Sequence, residues 1–79
     1  MALPVSRFPA LKPDRVLRLL RQVGYQKVRQ RGSHILLRAE GRQTITLSMH
    51  KGRTVKPKHL RAMLVERVGL TEDEIEALL

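Results

Sequence analysis

Residues 31–49 run Arg31-Gly32-Ser33-His34-Ile35-Leu36-Leu37-Arg38-Ala39-Glu40-Gly41-Arg42-Gln43-Thr44-Ile45-Thr46-Leu47-Ser48-Met49, and they decide the fold. Ile35, Leu37 and Ala39 alternate with His34, Leu36 and Arg38, and Ile45, Leu47 and Met49 alternate with Thr44, Thr46 and Ser48. Successive side chains of a strand point to opposite faces, so this period predicts two strands, 33–39 and 43–49, joined by a turn at Glu40-Gly41-Arg42. One face of the pair is apolar and has to be covered by something. The other is polar and carries His34 and Arg38, with Leu36 as an ordinary exposed leucine between them. Residues 25–30 read as a strand that enters through a tight turn at Arg31-Gly32.

Helical periods flank this sheet. Pro13 suits a first helical position, where a missing N–H costs nothing, and Asp14 complements the positive end of the dipole. Val16, Leu17, Leu20 and Val23 then share one face, Arg15, Arg18, Arg21 and Gln22 the other, and Gly24 is a natural stop. Residues 50–56 form a basic loop. A second helix from about Pro57 buries Leu60, Met63, Leu64 and Val68 and ends at Gly69. Thr71 with Glu74 three residues later makes a capping box, Leu70 can staple onto Ile75, and a short helix ending at Leu78 and Leu79 follows. Residues 1–12 are broken by Pro4 and Pro9 and read as an extended arm, with Leu3, Phe8 or Leu11 available to tuck against the body. The expected architecture is α+β, a two-layer α-β-β-β-α sandwich on a three-stranded antiparallel sheet, with a short C-terminal helix. Residues 13–79 form its single domain.

Composition bounds what such a domain can do. The chain has 79 residues, no cysteine, and sixteen Lys and Arg against seven Asp and Glu, a net charge of +9. That length excludes a dinucleotide fold, a barrel or a pocket buried between domains. Absent thiols exclude disulfides and cysteine chemistry. No apolar run approaches the roughly 20 residues of a membrane span, and no signal peptide is recognisable, so the expected setting is soluble and cytoplasmic. The four acids beyond Thr71 stand apart, so residues 1–70 hold all sixteen basic groups against Asp14, Glu40 and Glu66, a net of +13. Such density favours a phosphate polyanion as partner. With Phe8 and Tyr25 the only aromatics, no platform exists for stacking splayed bases, which points to backbone and shape recognition.

Three histidines are candidates for chemistry. His34 opens a strand on its polar face, flanked by Arg29, Arg31 and Arg38. There it can serve as a general acid or base in RNA cleavage, where a 2′-hydroxyl attacks the adjacent phosphate. It can equally be a surface histidine that binds phosphate or nothing. His50 closes the third strand and is a second proton-transfer candidate, a phosphate contact, or simply a strand-end residue. His59 sits in the first turn of the second helix, where solvent exposure is the default. Lys51, Arg53, Lys56, Lys58 and Arg61 cluster in the loop and at the following helix start, a sound phosphate grip, whereas Arg15, Arg18 and Arg21 read as a solvated face. No histidine pair has metal-ligand spacing, carboxylates are missing around them, and no phosphate-cradling glycine loop is present, so no metal or small-molecule cofactor is expected.

Two blocks carry a family resemblance. Gly24-Tyr25, then Arg29-Gln30-Arg31-Gly32-Ser33-His34-Ile35-Leu36-Leu37-Arg38, resembles the G-[FY]-x-x-x-R-x-x-G-S-H segment of the HicA (YcfA-like) toxin family. Thr46-Leu47-Ser48-Met49-His50-Lys51-Gly52-Arg53, with Val55-Lys56-Pro57 and Leu60-Arg61-Ala62-Met63-Leu64, resembles that family's second block, and Gly69-Leu70-Thr71 with its acidic tail resembles its ending. The resemblance covers about residues 10–79. It implies a fold similar to the double-stranded-RNA-binding domain, metal-independent mRNA cleavage with His34 as the catalytic histidine, and restraint by a HicB-like antitoxin. Arg29, Arg31, Ser33, Arg38, Lys51, Arg53, Lys56, Lys58 and Arg61 are then the expected RNA contacts. The resemblance identifies no second catalytic group, for which His50, Ser33 and Arg31 are the candidates. Met49 stands where the family usually has proline, and Lys58-His59 where it has Gly-Thr. A non-catalytic RNA-binding module of similar fold is the competing reading. A DNA-binding regulator is weaker, because three strands separate the helices and no helix-turn-helix can form.

Overall fold

The computed structural model describes residues 4–50 and 52–79; Leu3 and Lys51 lie outside the described residues. Lys12 precedes the first helix in extended backbone, and Pro13 opens α1, Pro13–Gln22. Helix α1 buries Val16, Leu19 and Leu20 and leaves Arg15, Arg18 and Arg21 exposed. Leu19 is an addition to the expected face, while Leu17 and Val23 are only half-buried. Gly24, with φ +104, turns the chain back on itself, and the amides of Gly24 and Tyr25 close onto the carbonyls of Arg21 and Leu20. The positive φ is a region that glycine alone enters without penalty.

Three strands follow: β1, Gln26–Arg31; β2, His34–Arg38; β3, Ile45–Ser48. They form one antiparallel sheet in the order β1-β2-β3. All three are a residue or more shorter or shifted relative to the sequence expectation, because Tyr25 at one end and Met49 at the other leave the ladder for the core and the loop. The β1–β2 turn is Gly32-Ser33 rather than Arg31-Gly32, since Arg31 and His34 are the last opposed pair. Positive φ falls on Gly32 alone (+58), the pattern of a type II′ turn, whose first central position favours glycine.

The second layer packs on one face of this sheet. Helix α2, Pro57–Arg61, runs directly into a wider π turn, Ala62–Arg67, where continuous α-helix was expected. The Val68 amide bonds the Met63 carbonyl at 2.8 Å, and the Leu70 amide reaches Leu64 at 3.0 Å. Leucines four apart overshoot one α-turn by about 40° each time. A turn with more residues takes up that overshoot, so Leu60, Leu64 and Val68 all stay buried. Arg42 donates to the Val68 carbonyl at 2.7 Å and closes this helix end with a cation, as the dipole favours. Helix α3, Glu72–Leu78, starts with the expected capping box: Glu74 N–H to Thr71 Oγ1 at 3.2 Å and Thr71 N–H to Glu74 Oε1 at 3.0 Å. Leu70 and Ile75 both enter the core.

That core joins Val16 and Leu20 of α1, the inward-facing Ile35, Leu37, Ile45 and Leu47, and Leu60, Leu64 and Ile75 from the C-terminal half. Tyr25 is buried with its hydroxyl donating to the Gln43 carbonyl at 2.8 Å, and burial pushes its phenol pKa up, partly opposed by Arg42. The segment before α1 is not one extended run. It turns once as a 3-10 helix at Val5–Arg7, buries Phe8, and bonds Leu11 to Val55 in a single antiparallel bridge. An Arg7–Glu76 ion pair at 3.1 Å joins it to α3. Among the described residues no helix is long and apolar enough to cross a membrane.

Candidate functional site

Every residue of β1 is exposed, because no helix covers this edge strand and its sequence, QKVRQR, offers no apolar face. Its register against β2 breaks in the middle. Gln26 opposes Arg38 and Lys27 opposes Leu37, but then Arg29 opposes Leu36 and Arg31 opposes His34. Val28 is the extra residue of a β-bulge and stands 55% exposed. One inserted residue reverses the alternation of everything after it. Lys27 lies opposite the buried Leu37, so uninterrupted alternation would turn Arg29 and Arg31 to that inner side too. The bulge brings both guanidinium groups onto the face of His34. There, Arg29, Arg31, His34, Leu36 and Thr46 line a shallow cleft of about 130 Å³.

The β2–β3 register completes the row. His34 opposes Ser48, whose Oγ is enclosed and has no hydrogen bond among the described residues. One rung further, the Met49 amide bonds the Ser33 carbonyl at 2.7 Å, which carries His50 over the β1–β2 turn. His50 Nε2 lies 3.3 Å from Ser33 Oγ. The His34 and His50 rings meet edge to face, 6.1 Å apart at their centroids and 86° between planes. Both imidazoles are exposed.

His50 also lines a second cleft, of about 370 Å³, with Lys12, Pro13, Asp14, Met49, Gly52, Arg53 and Thr54. The Leu11–Val55 bridge brings the entrance of α1 against the basic loop and so forms this cleft. The histidine pair stands where the two clefts adjoin. Asp14 is the only acid among the residues lining either one. Arg29, Arg31, Arg53 and Lys12 surround the pair with positive charge, which favours an anion.

Of the residues expected from sequence, Arg29, Arg31, Ser33, His34, His50 and Arg53 come together here. Arg38 shares the outer face with His34 but lines a different hollow at the far end of β2, with Gly24, Gln26 and Glu40. Four residues of strand separate them by about 13 Å. Lys56 and Lys58 are exposed around the start of α2 and line neither cleft, Arg61 is half-buried there, and Lys51 lies outside the described residues. Sequence reading missed Lys12, Asp14, Leu36 and Thr46 as cleft residues. Leu36 had a legible signal, an apolar residue on a polar face, and Thr46 is its partner across the ladder. Lys12 and Asp14 had none, since only the tertiary bridge puts them there. Among the described residues, no three His, Asp or Glu side chains gather in a way that would hold a metal ion.

A family model described as the HicA toxin of bacterial toxin–antitoxin systems matches residues 13–70. That span runs from α1 through the π turn and contains every cleft residue except Lys12. Neither the curated proteins nor the solved structures compared with the chain give a match.

Proposed function

The chain belongs to the HicA toxin family of bacterial toxin–antitoxin systems, and from that premise we propose that it is the toxin of such a pair, an endoribonuclease that cleaves mRNA with His34 as its proton-transfer group. The observation that carries this reading is His34 on an open sheet face, with Arg29 and Arg31 turned onto that face by the bulge at Val28. RNA phosphates dock on the two arginines and on Arg53. His34 takes the proton of the 2′-hydroxyl, whose oxygen then attacks the adjacent phosphorus. No group beyond the chain and its substrate enters this step. The substrate supplies its own nucleophile, so a shallow surface is sufficient. A HicB-like antitoxin restrains the activity by covering this face, and the pair works in the cytoplasm.

The test expresses wild type and His34→Ala separately and compares growth and RNA decay. General acid–base catalysis contributes on the order of 10²–10⁴-fold, so the variant should lose both effects while still binding RNA. Equal growth inhibition and equal decay would remove His34 from the mechanism. Binding without cleavage by the wild type would favour the non-catalytic RNA-binding module instead. That reading gains some support from the exposed Lys58-His59 pair, which adds charge at the start of α2.

A further inference from the structure

We infer that His50, held by Ser33, is the second proton-transfer group, the acid that protonates the departing 5′-oxygen; the inference rests on His34 being the base of an RNA-cleaving site. Transesterification needs two proton movements at one phosphorus. As the O2′–P bond forms, its hydroxyl proton must leave, and as the P–O5′ bond breaks, the leaving oxygen must gain one. A single histidine 6.1 Å from a second exposed imidazole is an unusual economy if only one of them acts. Each can reach a phosphate oxygen at about 2.6–3.2 Å, so a phosphodiester lying over the pair has one ring beside each end.

Ser33 fixes which nitrogen of His50 does the work. Nε2 is 3.3 Å from the Ser33 hydroxyl, which leaves Nδ1 free to face the substrate. In the imidazolium form Nε2–H donates to Ser33 Oγ and Nδ1–H passes its proton to O5′. The ring is left neutral with its remaining proton on Nε2, still held by Ser33. His34 ends with the proton from the 2′-hydroxyl, and the products are a 2′,3′-cyclic phosphate and a 5′-hydroxyl. Exchange with water resets both rings, so no further reactant is needed.

The other groups of the His50 cleft do not suit the role. Lys12 and Arg53 offer basic side chains that suit holding phosphate charge, and Asp14 offers a carboxyl that opposes it. Imidazole is the side chain that both gains and loses a proton near neutrality. Ser33 is a positioning residue in this scheme, since it touches His50 and not the reacting atoms.

The test uses two RNA substrates, one ordinary and one with a bridging sulfur in place of O5′. A thiolate leaves without being protonated, so a missing acid matters only for the oxygen substrate. His50→Ala, and His50→Gln as a second variant at this exposed position, should lose roughly 100-fold or more on ordinary RNA and stay within about threefold of wild type on the sulfur substrate. Ser33→Ala should show the same pattern, more weakly. His34→Ala should fail on both substrates. Equal losses on the two substrates for the His50 variants, or no loss on either, overturn the assignment of His50 while leaving His34 in place. A wild type inert toward both substrates overturns the parent reading, and this assignment with it.

Discussion

The two faces of the β2–β3 ladder are made by alternate residues of the same strands, yet they serve different ends. The inner face, Ile35, Leu37, Ile45 and Leu47, is buried against both halves of the helical layer. On the outer face His34, Arg38 and Thr46 are exposed, and Leu36, expected to be exposed, is half-buried between them. Stability comes from the first and the proposed chemistry from the second, and the pleat keeps them apart. Strand β1 belongs almost wholly to the second. Even its inward-turned Lys27 and Gln30 stay exposed, Lys27 donating to Gln30 at 3.4 Å and Gln30 to the Gly32 carbonyl at 3.1 Å. The lesson is that this chain can alter its working surface without disturbing its core, and the converse holds too.

Leu37→Ala should break the comparison most severely, if it breaks at all. Truncating a fully buried leucine costs about 2–5 kcal/mol, against roughly 5–15 kcal/mol for a whole domain. A urea titration should show that loss, while cleavage per folded molecule stays within about twofold of wild type. A large fall in the rate of the folded fraction would mean the two faces are coupled.

Arg29→Gln combined with Arg31→Gln probes the outer face alone. Two proposed phosphate contacts are lost while the ladder stays as it is. The slope of log affinity for RNA against log salt should fall by about two, with helix and strand content unchanged. Deleting Val28 closes the bulge but puts Arg29 directly after the inward-facing Lys27, so both arginines stay on the outer face and the slope should stay as it was. An unchanged slope in the double variant would remove the two arginines from the RNA contacts.

The smallest effect belongs to a region outside either face. Thr71→Ala should cost about 1 kcal/mol through the lost N-cap of α3. The backbone and side-chain hydrogen bonds of Thr71 hold the Glu74 pKa below its ordinary value. A depressed carboxylate stabilises the fold above its unfolded pKa, and that contribution disappears as pH falls through the lower folded one. Glu74→Gln should therefore be less stable than wild type at neutral pH and equal to it in acid. A gap that persisted below the carboxylate range would place the effect elsewhere.

These comparisons also mark what could be read from the chain alone. Ile35, Leu37, Ile45 and Leu47 announce the inner face because burial imposes a period on residue type. The capping box was equally plain, since Thr71 and Glu74 interact locally. The bulge had no such signal: Gln26–Arg31 is polar on both sides, so no apolar period exists to show a slip at Val28. The π turn was hidden for the opposite reason, as leucines four apart are consistent with an ordinary helix. His34 and His50 were each visible as candidates, but their contact depends on the His34–Ser48 register, set by a connection through residues 39–44 that is longer than the three-residue turn expected.

The bridge between Leu11 and Val55 is only one residue wide, but it is doubly bonded, at 3.1 Å and 2.6 Å. Together with the Met49–Ser33 rung, it fastens the His50 loop at both ends. Neither bond can form until the segment before α1 meets the segment before α2, so this loop is closed by a long-range contact. The amides of Leu11 and Val55 should therefore open and exchange their hydrogens with solvent together, ahead of global unfolding. A deuterium label on those two amides reads out how long the floor beneath His50 stays in place.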